Sequence, residues 1–367
     1  MLPFARMLEY GNIKPQNQVK DIQVGFACIY VLYDNGNLYG GGSNSHGQLG
    51  VPGTAVSELT LIDTGVTKLA KNMSGPCMAY AKGTRIYGMG SQSFWNLTST
   101  RWTVPTMFIN VSSIVGSSDF DLHITEMNMA LHVLETNLLY LSGRGGVGYA
   151  GVQDSVSNLT QFAGTYIKSL CLSNYNIYAY STGKSLIGTG SNSSKQVQNS
   201  TTGSFNTWVT ITSNISRYSS ENRRILWIND PPYADIWGGG SNSLNALGAG
   251  SGSTVFKNIR SVNPTTALEI YNMYNASVLF AGVGNAIGTP GIYAMGDGRT
   301  FYSWSQGDNP STEFVLCAPL NSYDLISVGT YSTIYVKDGR LFTCNPVSGM
   351  TVHDVPGNNS VKEILLP

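Results

Sequence analysis

Leu38-Tyr39-Gly40-Gly41-Gly42-Ser43-Asn44-Ser45-His46-Gly47-Gln48-Leu49-Gly50 is the stretch that decides the fold. An apolar residue is followed by an aromatic or apolar one, and Gly stands four positions after the first. That opening recurs at Ile86-Tyr87 with Gly90, Leu139-Tyr140 with Gly143 and Leu186-Ile187 with Gly190. It recurs again at Ile236-Trp237 with Gly240 and Ile292-Tyr293 with Gly296. A seventh copy, Leu341-Phe342, carries Asn345 in the glycine place. Successive copies lie 47 to 56 residues apart. A sustained period of this length is the mark of a repeat architecture, so the whole chain has to be read through it.

Working outward from each anchor, a second apolar run precedes it, often through a turn pair. Cys28-Ile29-Tyr30-Val31-Leu32-Tyr33 comes before Asp34-Asn35-Gly36, and Thr333-Ile334-Tyr335-Val336 before Asp338-Gly339. Asn-Gly and Asp-Gly between apolar runs predict hairpins, because the turn needs positive φ. Further upstream stands a short V-x-x-I strand, with copies at Val19, Val66, Val111, Ile167, Ala267, Tyr323 and Val361 and a degenerate one near Trp208. These runs are short and rich in β-branched and aromatic residues, which suits strands and not helices. One such small sheet cannot bury both of its faces, whereas neighbours arranged in a ring can do so for each other. The expected fold is therefore all-β, a seven-bladed β-propeller of about 50-residue repeats. The extra V-x-x-I copy suggests ring closure by a shared blade, with Val19 or Val361 as the closing strand. Gly at the end of each anchor is expected to allow a bulge or a close backbone approach.

Composition narrows the functions. The chain of 367 residues has 21 Lys plus Arg and 21 Asp plus Glu, so its net charge is zero. That argues against a nucleic-acid binder, which needs cations to displace counterions from phosphates. The apolar fraction of 42% is too high for a disordered chain. No apolar run is long enough to span a membrane, and the first twenty residues hold no signal-peptide core. Cys28, Cys77, Cys171, Cys317 and Cys344 form no CxxC pair, which predicts reduced, mostly buried thiols.

The residues after Gly42 and Gly240 carry a resemblance. Ser43-Asn44-Ser45-His46-Gly47-Gln48-Leu49-Gly50 and Ser241-Asn242-Ser243-Leu244-Asn245-Ala246-Leu247-Gly248 resemble the signature of the regulator of chromosome condensation repeat family. Leu97, Val197 and Gly151 keep single positions of it in other copies, and repeats six and seven lose most of it. The resemblance covers residues 19–367 and implies a seven-bladed propeller whose rim loops bind partners. The family's namesake exchanges nucleotide on a small GTPase and sits on chromatin. This chain lacks the basic face or tail that chromatin would demand. Residues 1–18 lie outside the repeat as an N-terminal arm. MLPFARMLEYGN is similar to N-terminal peptides of tailed-bacteriophage virion proteins, and the Ser-, Asn-, Gly- and Tyr-rich composition is similar to phage tail and fibre proteins.

Chemistry is sparse. Asp119, Asp121, His123 and Glu126 are the one cluster with any metal-ligating character, and a charged loop is the plainer reading. His46 reads as a turn residue. Gly143-Arg144-Gly145-Gly146-Val147-Gly148 satisfies GxGxxG but opens no helix, and Gly183-Lys184-Ser185 lacks the earlier Gly of a phosphate loop. Asp34, Asp230 and Asp338 look like turn formers. The triplets at Asn96 and Asn158 are chance matches in so Asn- and Ser-rich a chain. No catalytic residue, metal or cofactor is expected. Binding is expected from aromatic and apolar residues: Phe4, Leu8 and Tyr10 in the arm, Phe94 and Trp95 in repeat two, Phe301, Tyr302 and Trp304 in repeat six.

The leading expectation is a non-enzymatic structural or binding protein of a phage particle, in the tail, collar or fibre apparatus. Its partners would be other virion proteins, with a host surface receptor or glycan as a further contact. It would be made in the host cytoplasm and end in the virion. Two alternatives stand beside it: a cellular regulator acting on a small GTPase, and a carbohydrate-binding propeller.

Overall fold

The computed structural model describes residues 18–91, 101–126, 128–143, 159–162, 167–200, 202–221, 223–230, 235–242, 246–247, 253–260, 268–273, 276–282, 289–296, 311–329, 332–344, 347–355 and 358–367. Among these, strands group into seven sheets, the blades of a β-propeller, antiparallel throughout except for one added strand in the third. The first blade shows the plan. Val19–Val24, Cys28–Tyr33, Leu38–Ser43 and Ala55–Asp63 pair in sequence order. The first strand is innermost and the fourth outermost. The first strands of the remaining blades are Lys68–Leu69, Phe120–Thr125, Ile167–Leu172, Ile215–Glu221, Leu268–Asn272 and Leu325–Val328.

The burial pattern follows from this layering. The second strands Cys28–Tyr33, Asn128–Val133 and Ala276–Ala281 are buried along their whole length, because neighbouring blades cover both faces. The anchors Leu38, Ile86, Leu139, Leu186, Ile236, Ile292 and Leu341 are all buried between blades. All five cysteines are free and buried.

Each marker glycine has a common cause. Gly42, Gly90, Gly143, Gly190, Gly240 and Gly296 all adopt positive φ. At Gly240 a Cβ would run into the carbonyl oxygen of Arg223, in the turn that enters the blade's second strand. That oxygen accepts the amide of Ser241 at 2.9 Å. Gly42, Gly90 and Gly190 repeat the arrangement with Ala27, Pro76 and Tyr175. The pairing register also slips between Gly238 and Gly240, so the bulge and the close approach coincide.

In three blades the first residue of the second strand stitches the blade to the next. Cys77 Sγ donates to Thr125 O of the third blade at 3.8 Å. Asn128 Nδ2 donates to Asn174 O of the fourth at 3.2 Å. Arg224 Nη2 donates to Met273 O of the sixth at 2.6 Å. The second blade departs from the plan: its inner edge continues as Lys71–Ser74, which leaves its own sheet and pairs in parallel with Phe120–Thr125.

Three expectations about strands need correction. Val361 lies in Asn358–Ile364, an outer strand of the seventh blade, so it is no closing inner strand. Val111 opens the helical turn Ser112–Val115, and Trp208 sits in the outer strand Ser204–Ser213. Among the described residues the ring is not closed by a shared blade. The seventh sheet comes wholly from Leu325–Ile364, and it meets the first through packing. Ile22, Val24, Ile29 and Val31 pack with Ile334, Val336, Leu341 and Ile364, and Val24 N donates to Ser327 Oγ at 3.0 Å.

Candidate functional site

The V-x-x-I strands put apolar residues between blades and the intervening polar ones toward the axis, because side chains alternate along a strand. The result is a central channel with a polar wall. Two adjoining cavities lie in it. One, of about 400 Å³, is lined by Lys71, His123, Cys171, Arg217, Glu269 and Tyr271 among others. The other, of about 190 Å³, is lined by Gln23, Lys71, Glu221, Tyr271, Asn272 and Ser327 among others. Lys71, Ser219 and Tyr271 border both.

Much of the charge in the channel is compensated. Lys71 Nζ stands 2.9 Å from Asp121 Oδ1. One Glu269 carboxylate oxygen accepts the hydroxyls of Tyr271 and Tyr323, each at 2.5 Å. Burial pushes the Glu221 carboxyl up to about 7 against the pull of the Arg224 guanidinium, and burial lowers Arg224 itself to about 10. Burial likewise depresses the His123 imidazole to about 3, helped by the Lys71 ammonium and opposed by Asp121, so the ring is neutral. The amide of Asn272 and its Nδ2 both donate to Ser219, at 2.9 and 2.8 Å, while its Oδ1 is buried without a hydrogen-bond partner.

The cluster weighed for metal does not converge. Asp119 is 2.7 Å from Lys68, and Asp121 is taken by Lys71. Glu126 lies past the far end of Phe120–Thr125, roughly 20 Å along the strand from Asp119. Among the described residues no group of three or more potential ligands is found.

The signature loop works on the blade itself. Asn44 Nδ2 donates to Val51 O and Gly53 O at 2.6 and 2.8 Å, and its Oδ1 accepts the amide of Leu49 at 2.8 Å. Asn192 accepts the amides of Val197 and Gln198, at 2.7 and 3.0 Å, and Asn242 accepts that of Leu247 at 2.6 Å. Leu49, Val197 and Leu247 plug the core. Tyr30 and Tyr178 donate to Gln48 O and Gln196 O at 2.7 and 3.2 Å, tying each loop to a second strand. The fourth blade thus holds a fuller copy than Val197 alone suggests: Asn192-Ser193-Ser194-Lys195-Gln196, with Lys195 at φ 59° where Gly47 has 72°. His46 is a turn residue, with Nδ1 2.9 Å from Ser45 Oγ.

The residues named for binding all fall outside the described residues: Phe4, Leu8, Tyr10, Phe94, Trp95, Phe301, Tyr302 and Trp304. So do Asn96, Asn158 and Asn345, and the GxGxxG run beyond Gly143. The ends of the relevant connections are described. Gly90 and Trp102 are paired at one rim, as are Gly42 with Val56 and Gly296 with Ser311. The connections bearing Phe94-Trp95 and Phe301-Tyr302 therefore leave from the rim that carries the signature loops. Sequence reading missed the channel residues Lys71, Arg217, Glu221, Glu269, Tyr271 and Asn272. Their signal was the polar residue at every second position of the inner strands.

No protein-family model matches this chain, and no curated protein matches it by sequence. Solved structures match its fold. Human WBSCR16 is similar at a TM-score of 0.68 and 13% identity, over 87% of this chain and 86% of that one. Prp20p from Saccharomyces cerevisiae, described with its binding to Gsp1p and histones, gives 0.65 and 14%, over 86% and 82%. Yeast RCC1 (Prp20) in a structure with Kap60 gives 0.68 and 14%, over 87% and 80%. These likenesses place the fold among seven-bladed propellers of the regulator of chromosome condensation type.

Proposed function

We propose that this chain is a non-enzymatic, protein-binding propeller that holds a protein partner on the rim bearing the connections between third and fourth strands. One observation carries this reading. In the first, fourth and fifth blades an Asn side chain ties the connection to its own blade. Between their third and fourth strands the second and sixth blades carry Phe94-Trp95 and Phe301-Tyr302-Ser303-Trp304 in the sequence instead of that motif. Aromatic residues in the connections of a rigid ring have the makings of a protein interface, where a few such anchors dominate binding. Structures of similar fold support a protein partner, since one is described as binding Gsp1p and histones and another is bound to Kap60. They favour a regulator-type binder, including one acting on a small GTPase. The phage-particle reading, with residues 1–14 as docking peptide, rests on that peptide and on composition.

The test is complex formation in the cells that make the protein. The tagged chain should co-purify one protein in near-equal amount, and Trp95→Ala with Trp304→Ala should release it. Recovery of the chain alone, or a complex indifferent to both changes, overturns the reading. Faster nucleotide release from a co-purified small GTPase would assign the regulator role.

A further inference from the structure

We propose that the larger channel cavity binds a free α-amino acid with an apolar side chain, its carboxylate on Arg217 and its ammonium on Glu269. The proposal stands apart from the rim interface and would survive its failure.

Two charged groups in this cavity hold unused bonding capacity. Lys71 has Asp121, but neither Arg217 nor Glu269 is in an ion pair among the described residues. Arg217 Nη1 donates to the carbonyl of the adjacent Ser216 at 2.9 Å, and its Nε and Nη2 donate to no described residue. Both phenol bonds to Glu269 fall on Oε2. Its Oε1 therefore accepts none from a described residue, and it is not sealed from solvent.

The two groups are placed to be met together. They stand on the inner strands of neighbouring blades, the fifth and sixth, at the same level. Arg217 pairs with Ile228 and Glu269 with Phe280, each the second pair of its ladder. Both act on Tyr323, whose hydroxyl donates to Glu269 at 2.5 Å. Burial and that carboxylate hold the Tyr323 phenol well above its ordinary range, and the nearby Arg217 charge opposes them. A guanidinium fork matches a carboxylate through two parallel bonds, and a carboxylate oxygen accepts an ammonium proton. A simple anion would gain the first contact and face the charge of Glu269, and a simple amine would do the reverse. A molecule that carries both charges gains both contacts.

The rest of the wall sets the character of the side chain. Leu170, Ile270 and the ring of Tyr271 line the same cavity. The Tyr271 hydroxyl is held by Glu269, so the ring is a fixed apolar face beside the charged pair. The volume, about 400 Å³, falls within the roughly 300–1,000 Å³ of small-ligand sites.

The test is an amide NMR titration of the ¹⁵N-labelled full chain with millimolar L-leucine and L-phenylalanine. At least one of them should shift the amides of Arg217, Glu269 and Ile270. Isocaproate and isoamylamine lack the ammonium and the carboxylate of leucine, and hydrocinnamate and phenethylamine lack those of phenylalanine. Each should bind at least about tenfold more weakly than its parent. Arg217→Gln and Glu269→Gln should each weaken binding of the amino acid to a similar degree. No shift with either amino acid, or shifts confined to the rim loops, overturns the proposal. So does an acid that binds as well as its parent, the mark of a simple anion site, or an amine that does so, the mark of a simple cation site. Undiminished binding by either folded variant does the same. Should a variant fail to fold, the four truncated ligands decide on the unaltered chain.

Discussion

The buried guanidinium of Arg224, in the fifth blade, donates to the backbone carbonyl of Met273 in the sixth, 2.6 Å away. It also faces Glu221 across the hairpin, where the two residues pair directly. One side chain thus holds a neighbouring blade and faces a half-buried acid. Arg224→Met keeps bulk but leaves both partners unmet. It should destabilise the protein by about 2–3 kcal/mol, the upper end of the cost of leaving a buried acceptor without its charged donor. Urea unfolding would measure this, and a loss below about 1 kcal/mol would show that the contact is incidental.

Gly240→Ala should cost about 2–3 kcal/mol, because it meets both an unfavourable φ and the Arg223 carbonyl. Gly65→Ala is the control. Gly65 has φ 70°, but a methyl group there would meet nothing within 4 Å, so its cost should stay near about 1 kcal/mol. Thermal unfolding of the two variants side by side reads the difference.

Asn192→Ala should lower stability by about 2 kcal/mol, since it strips the amides of Val197 and Gln198 of their acceptor. Proteolysis should then open the chain within residues 192–203, ahead of global unfolding. Asn44→Ala should behave alike within 44–54.

Two channel residues should pull stability in opposite directions with pH. His123 has a folded pKa of about 3, below its ordinary 6.5, so the unfolded chain takes up its proton first. Stability from this group is full above about 6.5 and is lost as pH falls, by at most about 1.4 kcal/mol per pH unit. Glu221 has a folded pKa of about 7, above its ordinary 4.5, so its contribution is full below 4.5 and is lost as pH rises toward 7. In unfolding midpoints between pH 4.5 and 6.5, His123→Gln should therefore make stability fall more steeply with rising pH. Glu221→Gln should make it rise more steeply. Parallel curves for the variants and the unaltered chain would contradict both assignments.

The blades were legible because their markers are backbone necessities. Gly42 and Gly240 cannot be replaced without a clash, so the period survives where everything around it drifts. The inner strands were less so. Val361 and Trp208 have the right apolar neighbours for an inner strand and lie on outer ones, since V-x-x-I spacing does not say which layer a strand occupies. The channel was hidden for a different reason. Lys71, Glu221 and Tyr271 come from three blades and meet only when the ring closes. In the sequence each is a lone polar residue in a short strand.

The manner of closure has a consequence for how the chain is made. Apart from Lys71–Ser74, which joins the sheet of the next blade, each described sheet is built from one unbroken stretch, so none of them takes a strand from the far end of the chain. Sheets can form in order as they leave the ribosome, with only local pairing to find. What remains is a single docking step, in which Val24 meets Ser327 across a separation of 303 residues. Until then the apolar flank of Ile22, Val24 and Val31 is bare, and so is that of Ile334 and Val336. An incomplete ring would therefore be adhesive at its two ends, and two such rings would find each other there.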